Sequence, residues 1–219
     1  MTSSAPGTGD GGRRRVAWVD VVSTVLLSVA AVAIAWSGYQ ASRWTGEQAK
    51  AFSRANAARV ESTRWSDLAN SQTEIDVATF TQWVDSYARN ETELADFYRK
   101  RFRKEFRPAV EAWIATRPLL NPDAPLTPFA TPAYRLAARA ESERLEAKAG
   151  AESAVASRNI QRATNYVLCV VLFSSALFFG GISTRIGNPT ARAVILGIGC
   201  VVLLGALAWI ATFPISISI

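Results

Sequence analysis

Three apolar runs enclose a long polar centre. The first, VAWVDVVSTVLLSVAAVAIAWSGY, covers residues 16–39. At about 1.5 Å per residue it can cross a hydrocarbon core of about 30 Å. Trp18 stands near one end, Trp36 and Tyr39 at the other, where aromatic rings favour the headgroup boundary. The second run, YVLCVVLFSSALFFGGI, is shorter and is extended by Ser183 and Thr184 into a span over residues 164–184. The third covers 193–213 and stops at Pro214, leaving a loop at 185–192 and a tail at 214–219.

The centre, residues 40–163, has helical spacing instead. Ala41, Trp44, Gln48, Ala51, Phe52, Ala55, Ala58, Trp65 and Ala69 recur at steps of three and four, with charges between them. No proline follows the first span, so that helix is expected to continue as a rod. The segment LANSQTE should end it, with Ser71 and Glu74 as a capping box for the next helix. The stripe then continues through Ile75, Phe80, Trp83, Val84, Tyr87, Leu94, Phe97, Tyr98, Phe102, Phe106, Val110, Trp113 and Ile114.

A loop at 118–132, PLLNPDAPLTPFATP, carries five prolines in fifteen residues and cannot stay helical. Leu119, Leu126 and Phe129 are expected to pin it to the bundle. From Ala133 an Ala-rich pattern resumes with Leu136, Ala140, Ala147, Ala151 and Ala154 and reaches Tyr166 without another proline, which predicts a second rod entering the membrane. Two Ala-lined rods can pack closely and antiparallel. Residues 40–70 and 133–163 each span about 45 Å. A break near Arg89-Asn90 would then give four passes with matching ends. The expected fold class is therefore an all-α integral membrane protein, with three transmembrane helices and an extramembrane bundle extending the first two.

Charge adds orientation. Residues 40–163 hold 19 Lys/Arg against 16 Asp/Glu, an ordinary mixed helical surface and less lopsided than a nucleic-acid binder. Arg13, Arg14 and Arg15 precede the first span, and Arg185 and Arg192 lie in or beside the loop between the last two. With three spans these flanks share a side. The positive-inside rule puts them in the cytoplasm of an inner membrane, with 40–163 outside. Arg13–Arg15, an apolar core and Ala33-Ile34-Ala35 also resemble a cleavable leader, but periodicity running straight through Trp36 favours an uncut anchor. Asp20 reads as a carboxylate at the helix N-terminus near those arginines. Residues 1–15, Gly- and Ser-rich without apolar pattern, read as a disordered tail.

Candidate chemistry is sparse. The chain has no histidine, and no nucleotide-binding glycine motif, metalloprotease motif or CxxC pair occurs. No catalytic residue, cofactor or metal is expected. Cys169 and Cys200 fall in apolar runs and read as small buried hydrophobes. Asp123, in NPDAP, reads as a turn former. The stretch FYRKRFRKEF, residues 97–106, concentrates Arg99, Lys100, Arg101, Arg103 and Lys104 among aromatics, with Arg107 just beyond. Its aromatics follow the core stripe and its basic residues project outward. They form a solvated face or a contact for anionic lipid or an acidic partner, and nucleic acid is not expected. Ala176 with Gly180, and Ala193 with Gly197, place small residues four apart, as close helix packing requires.

The segments FYRKRFRKEFRPAVEAWIATRPLLNPDAPLTPFATPAY, residues 97–134, and NYVLCVVLFSSALFFGGIS, residues 165–183, resemble a family of uncharacterised bacterial three-span membrane proteins. That resemblance implies a membrane-anchored helical domain with a helix break near residues 88–91, and supplies no activity. The leading expectation is a non-enzymatic scaffold, a homo-oligomer in contact with membrane lipid, whose bundle and proline loop bind a protein partner. The alternative is a homo-oligomeric channel lined by Ser23, Ser28 and Ser174. A membrane enzyme of unknown chemistry comes third.

Overall fold

A computed structural model describes residues 10–216, with side chains from Trp18 onward. The order is α1 (Asp10–Ala88), α2 (Thr92–Arg101), α3 (Arg107–Ala115), a 3-10 turn (Pro128–Ala130), α4 (Ala137–Ser183) and α5 (Pro189–Ile210). No strand occurs among the described residues, and α1, α4 and α5 are each long and apolar enough to cross a membrane. The protein is an all-α membrane protein with three such helices. Residues 1–9 and 217–219 lie outside the described residues, and with them most of the expected N-terminal tail and the end of the tail at 214–219.

The chain divides into two compact units, Met1–Ala51 with Ala154–Ile219, and Phe52–Ser153. In the first, Leu26, Ala30, Cys169, Phe173, Ala176, Leu196, Leu203 and Ala206 form the core between the three spans. Val21, Val25, Val32, Phe178, Val201 and Leu204 face outward, an apolar surface suited to lipid. Close approach is set by glycine. A Cβ on Gly180 would meet Leu26 Cδ2 at 2.7 Å, and one on Gly199 would meet the Ala176 carbonyl oxygen at 3.3 Å. At the start of α5, the Asn188 side chain accepts from the Thr190 and Ala191 amides, with Pro189 just inside the helix.

Asp20 is ten residues inside α1, not at its N-terminus. Its partner is Arg192 of α5. The side chains of Arg13–Arg15 lie outside those described. At the other end of this unit, Tyr166 donates to the Pro214 carbonyl at 3.1 Å and Ser216 N donates to Gln40 Oε1 at 3.1 Å, fastening the C-terminal tail.

The second unit pairs α1 with α4 antiparallel. Arg54 bonds Glu152 at 3.0 Å, Ser62 donates to the Ser142 carbonyl at 2.9 Å, and Arg139 bonds Asn70 at 3.1 Å. Partners late on α4 thus meet positions early on α1. Ala69 packs with Leu136 and Ala138 where α4 begins. On α1 the expected Ala lining is present, with Ala55, Ala58 and Ala69 buried. On α4 it is shifted: Leu136 is buried as expected, but Ala140, Ala147, Ala151 and Ala154 are exposed, and Ala138 and Ala149 face the core instead, because an Ala-rich helix offers small residues on every side.

Two boundaries differ from expectation. Helix α5 starts at Pro189, inside the expected loop at 185–192, because Asn188 and Pro189 supply a helix start there, and it ends at Ile210 rather than 213. Helix α1 does not stop at LANSQTE; it runs on to Ala88, and Ser71 and Glu74 cap nothing. The segment contains neither proline nor glycine. Its hydroxyl side chains, such as Thr73 and Thr79, bond carbonyls four residues back along the same helix. The expected turn between two passes at LANSQTE is therefore absent, and α1 is followed by two short helices, the proline loop and α4. The break at residues 89–90 is present. Asn90 takes φ 63°, Asn90 N donates to the Tyr87 carbonyl and Glu91 N to the Ser86 carbonyl, a Schellman ending with Asn in the left-handed position.

Candidate functional site

The far part of the second unit is an aromatic core. Phe106 is fully buried, stacked on Phe129 with centroids 5.1 Å apart and edge-on to Phe80, Phe102 and Tyr134. FYRKRFRKEF is not one helix: α2 ends at Arg101, Phe102 turns to ψ 136°, and α3 begins at Arg107. Phe102 and Phe106 flank that kink and both point inward, whereas Phe97 is exposed beneath the Arg101 guanidinium, 3.5 Å from its ring centroid.

The basic residues separate into distinct roles. Arg103 reaches inward to Asp76 Oδ2 at 2.8 Å and pairs with Glu105 at 2.7 Å. Arg107 donates to the Phe102 and Lys100 carbonyls, bracing the kink. Arg99, Lys100 and Lys104 are exposed. Asp76 has no exposed surface, and the Tyr134 hydroxyl stands 3.2 Å from its Oδ2 and from Thr73 Oγ1. Burial pushes the Asp76 carboxyl above its ordinary range, and the neighbouring Arg103 and Tyr134 only partly offset this. Burial likewise raises Tyr134, which stays protonated and able to donate. The pairing joins α1 to the kink, a connection no local sequence pattern announced.

Beside the aromatic core lies an open groove of about 570 Å³. Trp83, Val84 and Tyr87 of α1 form one wall, and Trp113 and Ile114 of α3 another. Arg117, Pro118, Leu119 and Leu120 continue it along the loop, and Arg99 of α2 completes the rim. Contrary to expectation for Leu119 and Leu126, none of the three leucines of the proline loop is pinned. Leu119, Leu120 and Leu126 are 86%, 81% and 94% exposed. Phe129 alone of the three expected anchors packs inward, and a second tether comes from Trp113 Nε1, which donates to the Pro125 carbonyl at 2.7 Å.

Arg117 is held in the left-handed region, φ 52°, where it ends α3. Its amide donates to the Ile114 carbonyl. The residue after it is proline and lacks the next donor; the Thr116 hydroxyl instead donates to the Trp113 carbonyl at 2.6 Å. Asp123 is part of a turn, its amide donating to Asn121 Oδ1 at 3.0 Å.

In the membrane unit, Ser23 is buried, donates to the Val19 carbonyl and stands 3.4 Å from Ser183 Oγ, whereas Ser28 and Ser174 lie on exposed faces. Ala176 and Gly180 are buried in helix packing; Ala193 and Gly197 are exposed, and Gly199 is the close-approach glycine of α5. Cys169 and Cys200 are free thiols. No group of three or more His, Cys, Asp or Glu suited to a metal occurs among the described residues. No family model, curated protein or solved structure matches this chain.

Proposed function

We propose that the protein is a membrane-anchored scaffold that works by binding another protein, with residues 40–163 outside an inner membrane and the flanks at Arg13–Arg15 and 185–192 in the cytoplasm. The observation that carries this reading is the groove with Leu119 and Leu120 at its edge, 86% and 81% exposed in a loop otherwise anchored by Phe129 and Trp113. Apolar side chains held out on an ordered support mark a contact surface. The continuity of α1 and α4 from their spans into the polar unit supports a mechanical role, in which engagement of the groove is transmitted along the two helices. Glycines inserted near Arg158 would uncouple it.

The test places a photo-crosslinking residue at Leu120 and, as control, at Lys148, an exposed position on α4. In native membranes a discrete crosslinked product from position 120, lost on Leu119→Asp and absent from position 148, is expected. Equal products from both positions, or none from either, would contradict the reading.

A further inference from the structure

The rim of the groove says what kind of segment it accepts. Its lining includes two guanidinium groups, Arg99 and Arg117, and no carboxylate. Neither guanidinium has an ion-pair or hydrogen-bond partner among the described residues. Asp96 and Glu111 line the next cleft, which Arg99 shares with two other cations, Lys100 and Arg107. Arg117 is moreover fixed in a backbone conformation that disfavours a side chain, a cost that glycine at this position would avoid.

Resting on the scaffold reading above, we propose that the groove docks an acidic amphipathic segment of a partner protein, its large apolar side chains against Trp83, Tyr87, Trp113 and Leu120 and its carboxylates on Arg99 and Arg117. Charge complementarity selects this occupant. A second copy docked face to face would bring the same two arginines of each chain together, an arrangement of like charges. A lipid chain is disfavoured by shape. Small ligands bury about 70–90% of their surface in a pocket, whereas this groove is half open, which leaves room for a helix or extended peptide.

The experiment uses the full chain in nanodiscs of zwitterionic lipid and three short fluorescent peptides read by anisotropy. One carries Leu at positions i, i+3, i+4 and i+7 with Glu between; the second has Lys for every Glu; the third has Ser for every Leu. Only the Glu/Leu peptide is expected to bind, and the double variant Arg99→Glu, Arg117→Glu should weaken it about tenfold, the sum of two partly exposed ion pairs. The same variant should gain affinity for the Lys/Leu peptide. Equal binding of the Glu/Leu and Lys/Leu peptides, or of the Glu/Ser peptide, would overturn the proposal. So would displacement of the Glu/Leu peptide by oleate alone at equal concentration, or self-association lost on Leu120→Asp. If no peptide binds while the Leu120 crosslink persists, the acidic-segment proposal fails and the scaffold reading stands; if both are absent, both fail.

Discussion

Phe106→Ala removes the centre of the aromatic core, and its effect can be worked from the contacts. The ring is fully buried among four others, Phe80, Phe102, Phe129 and Tyr134, and its stack on Phe129 at 5.1 Å is one of the two anchors of the proline loop. Truncating a buried Phe to Ala costs about 3–5 kcal/mol. The edge-on and stacked ring pairs are part of that figure, and the flanking kink leaves little room to collapse, so about 4 kcal/mol is expected. The loss is local, falling on the opening of α2, α3 and the loop. Hydrogen exchange in nanodiscs is the assay. Amides of residues 92–135 should exchange about a thousandfold faster, since about 1.4 kcal/mol is a factor of ten. Amides of residues 166–182 should be unchanged, and Leu119→Ala, at an exposed side chain, should shift nothing by more than about 0.5 kcal/mol. If Phe106→Ala altered exchange less than about threefold, or Leu119→Ala matched it, the aromatic core would not be what holds the loop.

Three further outcomes follow from named contacts. Because burial raises the Asp76 carboxyl above its ordinary value of 3.8, its contribution to stability is fully present below that value and is lost as pH rises through the folded value. The melting temperature of the wild type should therefore rise relative to Asp76→Asn as pH falls from neutral toward the ordinary value; a difference that shrinks instead would contradict the burial argument. Gly199→Val should cost about 1–3 kcal/mol by overpacking against the Ala176 carbonyl, whereas Gly197→Val, with nothing within 4 Å of its Cβ, should be nearly neutral, as read by thermal aggregation in detergent. Arg117→Gly should leave stability equal or raise it by up to about 1 kcal/mol while weakening the Glu/Leu peptide, because glycine relieves the left-handed backbone and removes a rim charge.

Much of this fold is visible in the order of residues because long-period signals dominate it. Apolar runs long enough for a bilayer mark the spans, and alanines at steps of three and four mark the packed face of α1; on α4 the same spacing picks Ala140, Ala147, Ala151 and Ala154, which are exposed. Local endings are harder to see. Ser71 and Glu74 have the spacing of a cap, yet in a stretch without proline or glycine the long helix outcompetes it. Asn90 ends α1 by the left-handed geometry usually supplied by glycine. The kink at Phe102 has no proline or glycine to announce it; Phe102 and Phe106 would share a face of an unbroken helix as well, so their burial does not reveal it. The groove was least legible. Its exposed leucines look like anchors in a linear reading, and its two arginines merge with a basic run in which Arg103 turns inward to Asp76, 27 residues away.

If α1, α4 and α5 each cross a bilayer, Leu120 and Gly187 lie on opposite faces of it. Single Leu120→Cys and Gly187→Cys variants in sealed vesicles of one orientation, treated with a membrane-impermeant maleimide, test this most directly. Three crossings predict that one variant labels at once and the other only after the vesicles are opened, with the pattern reversed in inverted vesicles. Both positions labelling from the same face would contradict the account.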